Sequence, residues 1–371
     1  MSSELRSPSG TIEAGERAAS MIEIRTFDGD MDELARFCTS SWRKRYTGRM
    51  PVPDWRSDFL EWELLGEDHA AREFLVAAYD GGRLVGTLPA RPARYHLYGR
   101  PVAGTWGSFF AVDDEYENQG VSLKLNLEQR RRHRDHGAQI FTGYVYLGSS
   151  ASMGKEFWLR QRSVKILGNL GLWARLFDHR AVSDFAFSTR DKWATRALGW
   201  FHGPPRSPRD ASAVRPYRPT DLNDCLQLVT RQSRSADFGY EWNEAFLPRR
   251  LQYGDVPRTF VAEVDGRVAG FLNYCHLDLM GRRTITAGVI DLLSLDGLSS
   301  AMQQNLLRTA MCRMVEEGCH LALLLRLAGY PASPLLSAGF IPQPPEYYYV
   351  AQTVGTDLFD TPVKSLHIHW R

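Results

Sequence analysis

Six residues, Glu117-Asn118-Gln119-Gly120-Val121-Ser122, separate an apolar run from a long stretch of helical periodicity. A helix whose first turn holds glycine and small residues leaves its leading amides without intrahelical partners and lets a ligand approach the main chain. Those donors and the helix dipole together make an anion site, and a pyrophosphate would fit it. Downstream, Tyr144 and Tyr146 stand two residues apart in the apolar run 138 to 147, so a strand presents both phenols on one side. Ahead of the turn lie Asp113, Asp114 and Glu115, carboxylates that could take up a proton through water.

Those groups sit in a chain of 371 residues, 43% hydrophobic and 24% charged, which is enough to bury a full core and reads more naturally as two domains than one. The 45 basic and 43 acidic side chains leave a formal charge of +2, too even to draw in nucleic acid or an anionic membrane by field alone. Cys38, Cys225, Cys275, Cys312 and Cys319 are scattered and form no close pair of the kind a zinc or redox centre needs, so we read them as reduced core thiols. Residues 1 to 20 carry no apolar signal-peptide core, and no stretch approaches the roughly 20 apolar residues of a membrane span. The expectation is a cytoplasmic protein with a flexible leader over 1–20 and Met21 as a candidate start.

The chain repeats itself once. "IEIRTFDGDMDELARF" (22 to 37) parallels "VRPYRPTDLNDCLQLV" (214 to 229), each an extended segment leading through Asp into a helix. "FLVAAYDGGRLVGTL" (74 to 88) parallels "TFVAEVDGRVAGFL" (259 to 272), each a hairpin around an Asp-Gly turn. A third strand follows in both copies, at 102–112 and 285–295, then a long helix and a buried strand at 138–147 or 320–327. The order predicts an α/β protein of two units on mixed sheets: a domain over 21–150, a helical and Pro-rich linker over 151–213, and a second domain over 214–371. In the linker, "FWLRQRSVKILGNLGLWARLFDHRAV" reads as amphipathic helix. "SAGFIPQPPEYYYVAQTV" (337 to 354) reads as the closing hairpin of the second domain, with one or more of Tyr347, Tyr348 and Tyr349 facing a pocket.

This order of elements, with the turn at 117–122, resembles the GCN5-related N-acetyltransferase family in its tandem two-domain form, over nearly all of residues 22 to 371. The family signature Q/R-x-x-G-x-G/A aligns with Glu117 to Ser122: Gly120 matches, Ser122 is small and Glu117 departs. The resemblance implies an α+β mixed-sheet fold, acetyl-CoA or another acyl-CoA as co-substrate, and no metal. It implies that the amides around Asn118, Gln119, Gly120, Val121 and Ser122 hold the CoA pyrophosphate. The pantetheine arm and thioester then run along Phe110, Ala111 and Val112, where the sheet splays open. Lys124 and the run Arg130 to Arg134 are the bases expected to offset Glu117.

Acyl transfer to an amine requires loss of a proton from the ammonium, polarisation of the carbonyl and a proton for the leaving thiolate. Counted from Ser150, the family's usual acidic tyrosine falls on Phe157, which has no hydroxyl, so Tyr144 and Tyr146 are the candidate acids. Trp106, Ser108 and Phe110 occupy the strand face where a carboxylate base would stand. The second copy of the turn (294 to 307) has Gly297 but no glycine at the helix start, so that half is expected to have lost the cofactor. The reading is an N-acetyltransferase whose small-molecule amine enters between the halves, with Trp42, Tyr46, Trp55 and Trp62 shaping an apolar acceptor pocket. Two alternatives stay open: a non-catalytic acyl-CoA or protein-binding relative, and an aminoacyl or fatty-acyl transferase fed by tRNA or a carrier protein. Asp291, an acid inside an apolar strand, is expected to have a structural partner. His367 and His369, on one face of a terminal strand, are expected to pack at a strand edge rather than bind a metal.

Overall fold

The two hairpins form for the reason the sequence suggests, because their turn residues accept positive φ. Gly81 and Gly82 (φ 55° and 84°) make the first turn and Asp265 and Gly266 (φ 52° and 73°) the second, the signs a two-residue type I′ turn needs. Asp80 flanks the first turn, paired with Arg83, rather than forming it. Helix Met31–Tyr46 starts at Asp30, whose carboxylate accepts from the Glu33 amide at 2.7 Å. The matching Asp221, directly before helix Leu222–Arg234, instead accepts from the Arg218 amide and from Arg215.

A computed structural model of the chain describes residues 22–65, 69–147, 153–199, 203–208, 213–355 and 358–370. The expected leader, Met21 and Ser150 lie outside them. Two mixed sheets carry the fold, as expected. In the first the order is Glu23–Thr26, Leu75–Asp80, Arg83–Leu97, Arg100–Gly107, Ile140–Tyr146, Tyr347–Thr353, Val164–Leu170. The second runs Val214–Pro216, Pro257–Val264, Arg267–Met280, Thr284–Ser294, Leu321–Leu325, Leu172–Leu176, Ile341–Pro342. In each sheet one parallel pair joins the two strands that flank the long helix, Gly104–Trp106 with Ile140–Thr142 and Ala287–Ile290 with Leu321–Leu324.

The halves exchange strands, which the sequence reading did not anticipate. Tyr347–Thr353 leaves the second half to pair with both Ile140–Tyr146 and Val164–Leu170 in the first sheet. Leu172–Leu176 crosses the other way and pairs with Leu321–Leu325 and Ile341–Pro342. Residues 164–176, expected to be helical, are therefore two strands, with helices Met153–Trp158, His179–Phe185 and Thr189–Gly199 around them. Their alternating apolar residues fit an amphipathic helix almost as well as a strand, and the vacant sheet edges decide the outcome. The expected closing hairpin is likewise divided between the two sheets. One apolar cluster runs from Leu75 and Trp106 of the first sheet to Phe271 and Leu324 of the second, so the halves share a core, and a second, smaller cluster holds Val85, Val121 and Leu125. The chain end threads through that core: Leu366–His367 pairs with Phe238–Gly239, which in turn pairs with His96–Leu97.

Candidate active site

At the turn, Gly120 has φ 76° and precedes helix Val121–Asp135, whose first bond runs from the Lys124 amide to the Gly120 carbonyl at 3.0 Å. The amides of Val121, Ser122 and Leu123 therefore lead the helix as donors, and a Cβ placed on Gly120 would meet nothing within 4 Å. Asn118 also has positive φ, 62°. The Gln119 amide differs from expectation: it donates to the Tyr116 carbonyl at 3.3 Å, so it is already engaged.

Glu117 is offset, though not by the residues expected. Its carboxylate pairs with Arg45, from the last turn of helix Met31–Tyr46. The run 130–134 serves its own helix instead: Arg131 and Arg132 grip Glu128, and Arg132 also reaches Thr26 at 2.9 Å. Arg131 above all holds the Glu128 carboxyl down to about 2. Two of the three acids before the turn are likewise occupied, Asp113 by Arg83 at 2.6 Å and Glu115 by the same guanidinium at 3.3 Å. None of the three lines the cavity described next.

The first sheet opens just past its parallel pair. A Cβ on Gly143 would stand 2.7 Å from the Gly107 carbonyl oxygen, and one on Gly107 would stand 2.2 Å from the Phe141 ring. Both glycines are therefore required where the strands part. The chain then kinks at Phe109 (φ 59°), and Ala111–Val112 returns to pair with Thr87 and Gly86. Trp42 donates from its indole to the Phe110 carbonyl at 2.9 Å, so that oxygen is taken, while Ala111 and Val112 pair along one edge only among the described strands. Gly143→Ala is expected to cost about 1–3 kcal/mol of stability through this crowding, measurable as a lower urea midpoint.

From the opening a cavity of about 430 Å³ runs into the space between the sheets. Phe110, Gly107 and Gly143 line its first end, and Leu277, Ile285 and Leu321 its far end. Tyr144 and Tyr146 both line it, as their spacing implied. The Tyr144 hydroxyl donates to the His369 carbonyl, whereas Tyr146 packs on Tyr347 with ring centroids 5.2 Å apart. Phe157 stacks on Phe110 at 5.3 Å, making an apolar wall where the resemblance expects a hydroxyl. Of the four aromatics expected to shape a pocket, Trp42 and Tyr46 line it, and Trp55 and Trp62 do not. Trp55 packs edge-on to Phe109 at 4.8 Å, and Trp62 donates to the Arg249 carbonyl at 2.8 Å. Tyr347 lines the cavity while Tyr349 is fully buried.

Beside the cavity lies a buried charge cluster of which the sequence singled out two members, Asp291 and His369. Asp291 accepts from Arg250 at 2.6 Å; Arg250 also binds Glu63, and Arg91 reaches Glu63 at 3.2 Å and the His369 Nε2 at 2.8 Å. Arginine can only donate, so that nitrogen is an acceptor and carries no proton. His369 thus accepts from Arg91, and His367 lies buried beside His96, so the two do not converge. Among the described residues no group of three or more His, Cys, Asp or Glu is arranged to hold a metal. Sequence reasoning also missed Arg45, Gly107, Gly143 and Glu346, the last a cavity residue marked only by its place before the tyrosine triplet.

The corresponding turn of the second half packs against the neighbouring strand and has its helix start capped by serine. A Cβ on Gly297 would meet the Ala269 carbonyl oxygen at 2.4 Å, and Ser299 caps the helix by accepting from Met302 at 3.4 Å. Tyr330, fully buried, hydrogen-bonds the Leu293 main chain, and burial pushes its phenol up.

No family model and no curated protein matches the sequence. Solved structures do match. N-myristoyltransferase of Saccharomyces cerevisiae, determined with bound myristoyl-CoA, superposes with a TM-score of 0.71 at 11% identity, over 89% of this chain and 82% of that one. A GCN5-related N-acetyltransferase from Anabaena variabilis gives 0.54 at 11% identity, over 90% and 73%. A probable N-acyltransferase from Enterococcus faecalis gives 0.53 at 10% identity, over 90% and 73%. The chain has the tandem two-domain fold of the GCN5-related N-acetyltransferase type.

Proposed function

We propose that the protein is an acyl-CoA-dependent N-acyltransferase that moves an acetyl or longer acyl group from CoA to the amine of a small molecule. One observation carries this reading: a continuous cavity begins where the strands part at Gly107 and Gly143 and ends against the second sheet. In this reading the amides of Gly120, Val121 and Ser122, with Asn118 beside them, hold the pyrophosphate at the helix N-terminus. The pantetheine arm runs along Phe110, Ala111 and Val112, which brings the thioester to the opening. The first half binds the donor, and the capped second turn leaves the second half as acceptor wall. The N-myristoyltransferase neighbour holds myristoyl-CoA, which supports a donor longer than acetyl.

The amine attacks the thioester carbonyl, the C–N bond forms, the C–S bond breaks and the thiolate takes a proton. In this reading Tyr146, which lines the cavity, is the acid, while the Tyr144 hydroxyl donates to the His369 carbonyl. Tyr146→Phe is expected to lower kcat about 100-fold with KM little changed. Tyr144→Phe is expected to cost about 1 kcal/mol of stability and little rate. All five cysteines are free, which supports a reducing compartment such as the cytoplasm. Among the described residues no helix is long and apolar enough to cross a membrane. The test is thiol release from acyl-CoAs of graded length against a panel of amines. Absence of both binding and release for every donor would overturn the reading.

A further inference from the structure

Helix Val121–Asp135, which starts at the Gly120 turn, shows solvent a stripe that its own charge pairs do not use. Leu123 and Leu127 are 56% and 55% exposed. Helical steps of three and four continue from them to Arg130 and Arg134 on the same face, with Lys124 alongside. Lys124 and Arg134 are exposed and Arg130 is half-buried. Arg131 is engaged by Glu128 and Asp135, and Arg132 by Glu128. Lys124, Arg130 and Arg134, by contrast, make no ion pair among the described residues.

The length and the chemistry of the stripe select its partner. From Leu123 to Arg134 it spans about 16 Å, and its far end stands about 21 Å from Gly120 along the helix axis. A nucleotide whose pyrophosphate rests on the first turn does not reach that far, so CoA leaves the arginine end unused, whereas a second helix covers it all. Three unpaired cations call for a row of acids on that helix, and the two leucines call for an apolar side chain between them. Two leucines are too few for a helix to seat itself in a membrane surface. The turn at the head of the stripe points the same way. The Gln119 amide is already engaged and the Glu117 carboxylate stands beside the turn in its pair with Arg45, so a single phosphodiester asks less of the remaining amides than a pyrophosphate does. Resting on the N-acyltransferase reading, we propose that this stripe docks an acidic helical carrier domain whose acyl group rides on a phosphopantetheine arm, so that donors arrive on a carrier as well as on CoA. The carrier's phosphate then sits at the Gly120 end, and its arm follows Phe110, Ala111 and Val112 to the cavity.

The test is titration calorimetry of two probes, decanoyl-CoA and a bacterial acyl carrier protein loaded with decanoate, into the wild type, Arg130→Glu/Arg134→Glu and Leu127→Asp. The wild type is expected to bind the carrier saturably, and more weakly as salt rises. The double variant is expected to bind it at least about tenfold more weakly and Leu127→Asp about fivefold, with decanoyl-CoA within about twofold of wild type in both. No carrier binding by the wild type, or an unchanged carrier affinity in the double variant, would each overturn the proposal. The CoA probe also reports that the variant is folded. If the double variant loses both probes, Arg134→Glu decides: selective loss of the carrier supports the proposal, and parallel loss overturns it. Phosphatidylglycerol vesicles that bind the wild type and not the double variant, without carrier binding, would make the stripe a membrane contact and overturn it too. CoA binding without carrier binding sinks this proposal alone, whereas carrier binding without thiol release from either donor to any amine sinks the acyltransferase reading alone.

Discussion

Replacing Arg250 with alanine is expected to remove about 3–5 kcal/mol of stability, because it leaves two carboxylates buried without their shared partner. Arg250, Glu63, Asp291 and His369 are each at most 3% exposed. They come from four separate segments, helix Leu247–Leu251, helix Ser57–Leu64, strand Thr284–Ser294 and the chain end, so the cluster ties the halves to each other. Arg91 remains beside Glu63 at 3.2 Å in the variant, but Asp291 loses the donor at 2.6 Å.

The loss is expected to depend on pH, with a definite sign. Burial pushes the Asp291 carboxyl up to about 6, with Arg250 pulling the other way. A raised acid binds its proton more tightly in the native state, so its stabilising share is complete below the unfolded value near 4 and falls as pH rises through about 6. Without Arg250 the carboxyl moves higher still, and the variant goes on losing stability where the wild type has levelled off. Urea unfolding at pH 5 and pH 8 should therefore show a larger deficit at pH 8. A deficit under about 1 kcal/mol, or one equal at both pH values, would mean that the cluster is not what holds the halves together.

The second large effect is expected at Gly120, where glutamate should weaken acyl-CoA binding by more than about 100-fold, some 2.7 kcal/mol. The new side chain would place a carboxylate at the helix N-terminus, against the proposed pyrophosphate. Since a Cβ there meets nothing within 4 Å, steric damage to the fold is small. The φ of 76° adds about 1 kcal/mol of strain for any L side chain. Gly120→Ala carries that strain without the charge, and calorimetry on both variants separates the two: alanine should weaken binding by a few fold. Equal losses in the two variants would point to backbone strain, and unchanged binding in both would place the donor elsewhere.

The features legible in the chain were those set by residues close in sequence. Gly81-Gly82 and Asp265-Gly266 fix two turns because few residues accept positive φ. Gly120 fixes the helix start for the same reason, and the spacing of Tyr144 and Tyr146 put both on the cavity side. The repeat of those local signals gave two α/β units and two mixed sheets. Illegible were the features that depend on which distant edge or charge lies opposite. Residues 164–176 carry an apolar pattern that suits helix or strand, and the free edges beside Tyr347–Thr353 and Leu321–Leu325 made them strands. Arg45 neutralises Glu117 although a basic run lies nearer in sequence, because helix Met31–Tyr46 ends beside the turn. Glu346 reaches the cavity only through the exchanged strand, and Asp291 meets Arg250, Glu63 and His369 only once both sheets share a core. Local backbone preference acts within a few residues and can be read from them, whereas strand partners and buried ion pairs are chosen among distant surfaces that exist only after the chain has folded.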